Sequence, residues 1–194
     1  MKRRAVAWGI TGSGDKMPET VRVMMRVREE YREKVDIKVF LSKAGRLVAK
    51  LYGVIEDLEK SFGRFWVEAD ANTPLLAGHL QLRRFDFLLI APATANTVAK
   101  ISLGITDSLL SNAAIMALKA YPTPVPVYIM PSDYEEGVTV TRLPSGRKMK
   151  LRVRREDAEH VRRLARMEGI FLLKEPKEIP SIFAKHFGKP KGAR

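Results

Sequence analysis

The chain of 194 residues contains no cysteine. That excludes disulfides, zinc–thiolate sites, cysteine-ligated iron–sulfur clusters and cysteine nucleophiles. No apolar run approaches the roughly 18 residues needed to cross a bilayer. The one short run behind the basic start, Ala5 to Ile10, passes straight into turn residues with no small-residue cleavage site, so it reads as a strand and not as a secretory signal. The expectation is a cytoplasmic protein with no membrane partner. Acidic residues are also in deficit: 22 Asp+Glu face 35 Lys+Arg, a formal net charge of +13. Such a surface calls for an acidic partner of some kind. The excess is uneven, because residues 142–167 hold ten Lys/Arg against three acids, which is +7 in that stretch.

What is present is a core. With 45% hydrophobic residues the chain can bury one sizeable interior. One domain is expected over residues 1–187, followed by a basic flexible tail, 188–194.

Arg4–Ile10 reads as a buried strand, Glu19–Lys34 as a helix with Pro18 at its start, and Asp36–Leu41 as a second strand. Lys43–Lys60 is helical with a break at Gly53. Arg64–Glu68 is a short third strand, and Asn72–Gln81 a loop with a helical turn. Phe85–Ala91 is almost wholly apolar, as a strand covered on both faces must be. Helices are expected over Thr94–Leu103 and Ser108–Lys119, then a fifth strand over Pro124–Met130. Strand and helix alternating in this way predict an α/β fold, a Rossmann-like three-layer sandwich with a mainly parallel sheet. Residues 137–154 break the pattern. Val138 and Val140 alternate with threonines, and Met149, Leu151 and Val153 alternate with Lys and Arg. This predicts an inserted β-hairpin with one apolar and one basic face. A basic helix over Arg155–Glu168 should turn Ala158, Val161, Leu164 and Ala165 inward. Ile170–Leu173 and Lys177–Phe187 complete the chain as a strand and a helix.

The first strand ends in Gly9-Ile10-Thr11-Gly12-Ser13-Gly14. A glycine turn between strand and helix points backbone amides at an anion. It is not a P-loop, since Asp15-Lys16-Met17 displaces the lysine and lacks the metal-binding hydroxyl. Nor is it a dinucleotide fingerprint, which needs glycine at Met17 and an acid after the second strand, where Ser42 stands. Ser42 can donate to a phosphate monoester. The departures point to a mononucleotide phosphate held by Thr11, Gly12, Ser13, Gly14 and Ser42.

A second set of residues is more specific. It comprises Gly78-His79-Leu80-Gln81-Leu82, then Ala91-Pro92-Ala93-Thr94-Ala95-Asn96-Thr97, then Gly104-Ile105-Thr106-Asp107-Ser108-Leu109-Leu110-Ser111. Together with Gly9–Ser13 and Ser42, it resembles the FMN-binding flavoprotein family of cysteine decarboxylases and prenyl-flavin synthases, over about residues 4–131. Within that family the chain is most similar to the archaeal flavoproteins linked to ferredoxin-dependent electron transfer, whose relatives reduce dihydromethanopterin. The resemblance implies FMN as cofactor, contacts to it from Thr94, Ala95, Asn96 and Thr97, an active-site histidine at His79, and a homo-oligomer whose subunits share walls around the flavin. A strand-end loop carrying short hydroxyl and amide side chains is consistent with that role.

The chain departs from the decarboxylases after the fifth strand, where Met130-Pro131-Ser132-Asp133 lacks the asparagine of their substrate clamp. It departs from the prenyl-flavin synthases by keeping Asn96. What is left is flavin redox chemistry: an FMN-dependent oxidoreductase or electron-transfer protein, accepting electrons from a ferredoxin-like donor. A flavin-dependent decarboxylase with an altered clamp is the second reading, and a basic nucleic-acid-binding domain the third. Residues 137–167 can serve as a solvated or oligomeric surface or as a dock for an acidic carrier. Nucleic acid is the weakest of these readings, because residues 142–167 contain no aromatic side chain to stack a base.

Overall fold

The computed structural model describes residues 3–190. Strands β1 (Arg4–Ile10), β2 (Val35–Leu41), β3 (Trp66–Val67), β4 (Leu88–Ala93), β5 (Val127–Pro131) and β8 (Ile170–Leu172) form one six-stranded sheet in the order β3-β2-β1-β4-β5-β8. Every pairing in it is parallel. The expected Rossmann-like three-layer architecture is therefore observed.

Helices cover both faces. β4 shows why: all six of its residues are buried, and neighbours along it point opposite ways. Leu89 and Ala91 join a cluster with Trp8, Met24 of α1 (Met17–Tyr31), Leu58 of α3 (Ile55–Phe62) and Phe183 of α8 (Ile179–Phe187). Leu88 and Ile90 join the opposite cluster, with Leu80 of α4 (Leu76–Gln81), Val98 of α5 (Ala95–Leu103), Leu110 of α6 (Leu109–Leu118) and Leu164 of α7 (Arg155–Leu164). A strand packed on both sides has no polar face to alternate. Among the described residues, no helix is long and apolar enough to cross a membrane.

Several element boundaries moved. The third strand keeps only Trp66 and Val67 of the expected Arg64–Glu68, as befits an edge strand. Helix α1 starts two residues early, at Met17, and Pro18 occupies its first turn, where a missing N–H costs nothing. The break at Gly53 is real: φ is +69° there, and it separates α2 (Lys43–Leu51) from α3. Helix α7 ends at Leu164, so Ala165 is exposed and not inward. The last four residues of the expected basic tail, 191–194, lie outside the described residues.

The hairpin of β6 (Gly137–Arg142) and β7 (Lys148–Val153) forms, but its faces are not as expected. Val138 pairs with Arg152, Val140 with Lys150 and Arg142 with Lys148. The two valines therefore lie among the cations, 70% and 51% exposed. Thr139 and Thr141 lie opposite Leu151 and Met149 on the other face. The connecting loop has five residues, closed by Leu143 N–H to Arg147 O at 2.9 Å. An odd loop pairs even-numbered residues with even, whereas a two- or four-residue turn would have put the valines with Met149 and Leu151.

Candidate functional site

In a parallel sheet the carboxyl ends of the strands all open on one edge, where ligands bind. Here four strand-end segments meet. The hydroxyl of Thr11, after β1, donates to Pro92 O at 2.9 Å and accepts the Thr94 amide at 2.9 Å. Ser132, after β5, donates to the Ser13 hydroxyl at 2.5 Å. Ser42, after β2, has its amide on Ile10 O at 3.0 Å. Gly12 lies so close to α2 that a Cβ there would stand 2.7 Å from the Ala44 Cβ. That contact is why a glycine is needed at this position.

Two strand-end loops, Gly12–Asp15 and Thr94–Ala95, line one pocket of about 270 Å³ together with Ser132 and Asp133. The hairpin closes the pocket with its Thr139, Thr141, Met149 and Leu151 face. It is held there by the Tyr52 hydroxyl, which donates to Arg142 O at 2.7 Å.

The loop is suited to an anion. The amides of Gly12, Ser13, Gly14, Asp15 and Lys16 donate to no acceptor among the described residues. They directly precede α1, where the helix dipole adds positive potential. By contrast, the start of α2 is largely satisfied within the chain. Ser42 caps it, accepting Gly45 N–H at 2.9 Å, and Glu68 accepts Lys43 N–H at 3.1 Å and Leu109 N–H at 2.7 Å. One carboxylate thus holds the first turns of α2 and α6 together. Two acids face the pocket, and burial raises the pKa of both. For Asp15, the neighbouring Lys16 charge and the Thr141 side chain oppose that shift.

The sequence-derived residues divide accordingly. Gly12, Ser13, Gly14, Thr94 and Ala95 line the pocket. Thr11 lies beneath it, 2% exposed, and ties the two loops. Thr94 caps α5, accepting Thr97 N–H at 3.3 Å, so Thr97 supports the loop from within, while Asn96 is exposed beside it. Ser42 and Thr97 do not line the pocket. Nor does His79, whose ring packs 6.4 Å from that of Phe85 on α4's side of the sheet. Burial, with Arg84 and Lys38 nearby, lowers its pKa. Tyr52, Asp15 and the inner hairpin face were not anticipated. Ser132 and Asp133 could have been found as one more strand-end loop. Tyr52 carries no sequence signal, since it joins the site through tertiary contacts, packing on Gly14 and bonding the hairpin.

Residues 1–190 match the family described as Flavoprotein. The chain belongs to the flavoprotein family. This flavoprotein is 45% identical to an uncharacterised protein of Methanocaldococcus jannaschii, over 93% of this chain and 95% of the relative. It is 30% identical to the dihydromethanopterin reductase (acceptor) of the same organism, over 92% of this chain and 95% of that one. Among solved structures it is similar to Burkholderia xenovorans DmrB in complex with FMN, a cubic protein cage for redox transfer. That match has a TM-score of 0.77 at 30% identity and covers 94% of each chain.

Proposed function

We propose that this flavoprotein binds FMN at the pocket between Gly12–Asp15 and Thr94–Ala95 and acts in electron transfer, as an FMN-dependent oxidoreductase over residues 1–187. The observation that carries the reading is the convergence of those two loops on one pocket, with the unengaged amides of Gly12, Ser13, Gly14 and Asp15 in the first of them. Those amides, backed by Ser13 and by Ser42 at the neighbouring strand end, would take the phosphate. Thr94 and Ala95 would frame the ring, with Asn96 exposed beside them and Thr97 bracing the loop from beneath. FMN, when bound, supplies the redox chemistry, and the chain supplies orientation and field. Half-buried Asp133 and Asp15 stand at the pocket wall, where burial raises the pKa of both.

Electrons would arrive from an acidic, ferredoxin-like carrier docking on the basic outer face of the hairpin, where long-range attraction raises the encounter rate. The flavoprotein would be a homo-oligomer. Leu75, His79 and Leu82 follow one helical stripe, and both leucines are about two-thirds exposed, at 67% and 66%. A second copy seated there would bury His79 against its own surface, giving the histidine a role it lacks in the isolated subunit.

The test is spectroscopic. Purified protein should absorb in the near ultraviolet and blue, release FMN on heating, and bleach on photoreduction. Asn96→Asp should weaken FMN retention or shift its potential. Colourless protein that takes up no FMN would refute the proposal.

A further inference from the structure

A second cavity, of about 510 Å³, adjoins the cofactor pocket and shares Gly14, Asp15, Tyr52 and Leu143 with it. Its walls are Pro18 and Arg22 of α1, the Tyr52 ring, and Arg142, Leu143 and Pro144 at the hairpin tip. No sequence motif points to it. It exists because the hairpin folds back across α1, with Arg142 fastened over Tyr52 through its own carbonyl.

The charged groups around this cavity are not equally available. Lys16 is engaged by Glu175 at 3.0 Å and by Lys174 O at 2.9 Å. Asp15 is half-buried beside Thr141, and burial disfavours its charge. Glu19 stands in the first turn of α1, where the helix dipole favours an acid. Arg22 and Arg142 form no ion pair among the described residues. Two unpaired guanidiniums above apolar and aromatic walls match an organic anion: planar forks for phosphate or carboxylate, and a ring face for the carbon skeleton.

We propose that this second cavity is an anion-binding subsite, in which Arg22 and Arg142 receive a phosphate- or carboxylate-bearing arm of the molecule that reacts in the adjoining pocket. The assignment of the arm rests on the function proposed above. The binding of an anion by these two arginines does not.

The experiment is calorimetric titration of the flavin-loaded protein with inorganic tripolyphosphate and, separately, with citrate. One saturable site per chain is expected for at least one of them, and the tighter of the two identifies the chemistry of the arm. The double variant Arg22→Gln/Arg142→Gln should bind it about tenfold or more weakly, a loss of about 1.4 kcal/mol or more. It should keep its flavin, since neither side chain belongs to the cofactor pocket. The variant Arg162→Gln/Arg163→Gln, altered on α7 and lining neither cavity, should bind as the parent does. Three outcomes overturn the proposal: no saturable binding of either anion, equal weakening in both double variants, or loss of flavin from the arginine variant. The last would make the cavity part of the cofactor site. Protein that never carries flavin would sink the function proposed above, yet the same titration would still decide the anion site.

Discussion

The side-chain hydroxyl of Thr11 accepts the backbone amide of Thr94 at 2.9 Å, joining the ends of β1 and β4. The same hydroxyl donates to Pro92 O at 2.9 Å. One buried group therefore sets the spacing of the two loops that line the pocket.

Thr11→Val keeps the shape and removes both bonds. It leaves the Thr94 amide without a partner, while Pro92 O keeps the residue-11 backbone N–H at 3.2 Å, and the orphaned amide should cost about 1–3 kcal/mol. Chemical denaturation should report that loss, and FMN retention should fall with it. Thr11→Ser, which keeps the hydroxyl, should recover most of both.

Gly12→Ala tests the close approach to α2. The added carbon would meet the Ala44 Cβ at 2.7 Å, so the loop must move away from Ser42. FMN affinity should drop by about tenfold or more, because a phosphate contact misplaced by a fraction of an ångström loses its charge-assisted bonds. Fluorescence titration of free FMN measures this directly, with the melting temperature as a control for folding.

Lys150→Glu/Arg152→Glu reverses two charges on the outer hairpin face. The bimolecular rate with an acidic electron carrier should fall at low salt and converge on the parent's rate at high salt, where screening removes the steering. Stopped-flow kinetics at two ionic strengths provides the comparison, and FMN content should be unchanged.

Leu75→Glu/Leu82→Glu places two charges on the exposed stripe around His79. If that stripe is the contact between copies, light scattering should show a smaller assembly at unchanged helix content. An unaltered mass would remove this face from the interface.

His186 supplies a pH dependence. Its Nε2 lies 2.9 Å from the Tyr128 hydroxyl and its ring lies tilted against Phe87 with centroids 4.8 Å apart, clamping α8 to the sheet. Burial, then Lys185 and Arg4, lower its pKa from the ordinary value of 6.5, with Asp86 opposing. The unfolded chain therefore binds this proton first. Stability is full above pH 6.5 and declines as pH falls through the folded pKa. His79, also lowered, has the same sign. Asp15 and Asp133, raised above 3.8, oppose it at lower pH, because there the folded state binds the extra proton. Thermal melts at a series of pH values below 6.5 should flatten in His186→Phe.

The layered fold was legible because each cue was local. The apolar run at Leu88–Ala91 demanded cover on both faces, and Gly53 broke a helix through its own backbone geometry. The glycine turn and the Thr94–Thr97 loop were legible as strand-end loops of the same sheet. Tyr52 was not, because nothing near it in sequence announces a bond to a carbonyl 90 residues away. The hairpin faces were misread because side-chain alternation is visible in each strand, while the register between strands depends on loop length.

By itself, then, the sequence determined the elements, the parallel character of the sheet and the two strand-end loops, one suited to a phosphate and the other to a flavin ring. Periodicity and glycine act over a few residues, and right-handed crossovers do the rest. Only the tertiary structure decided that Thr11 bridges those loops, that Thr139 and Thr141 and not the valines face the pocket, and that Arg22 and Arg142 look into one cavity. Each of these relationships joins residues distant in the chain, and hydrogen bonds and strand register formed in the packed state bring them together.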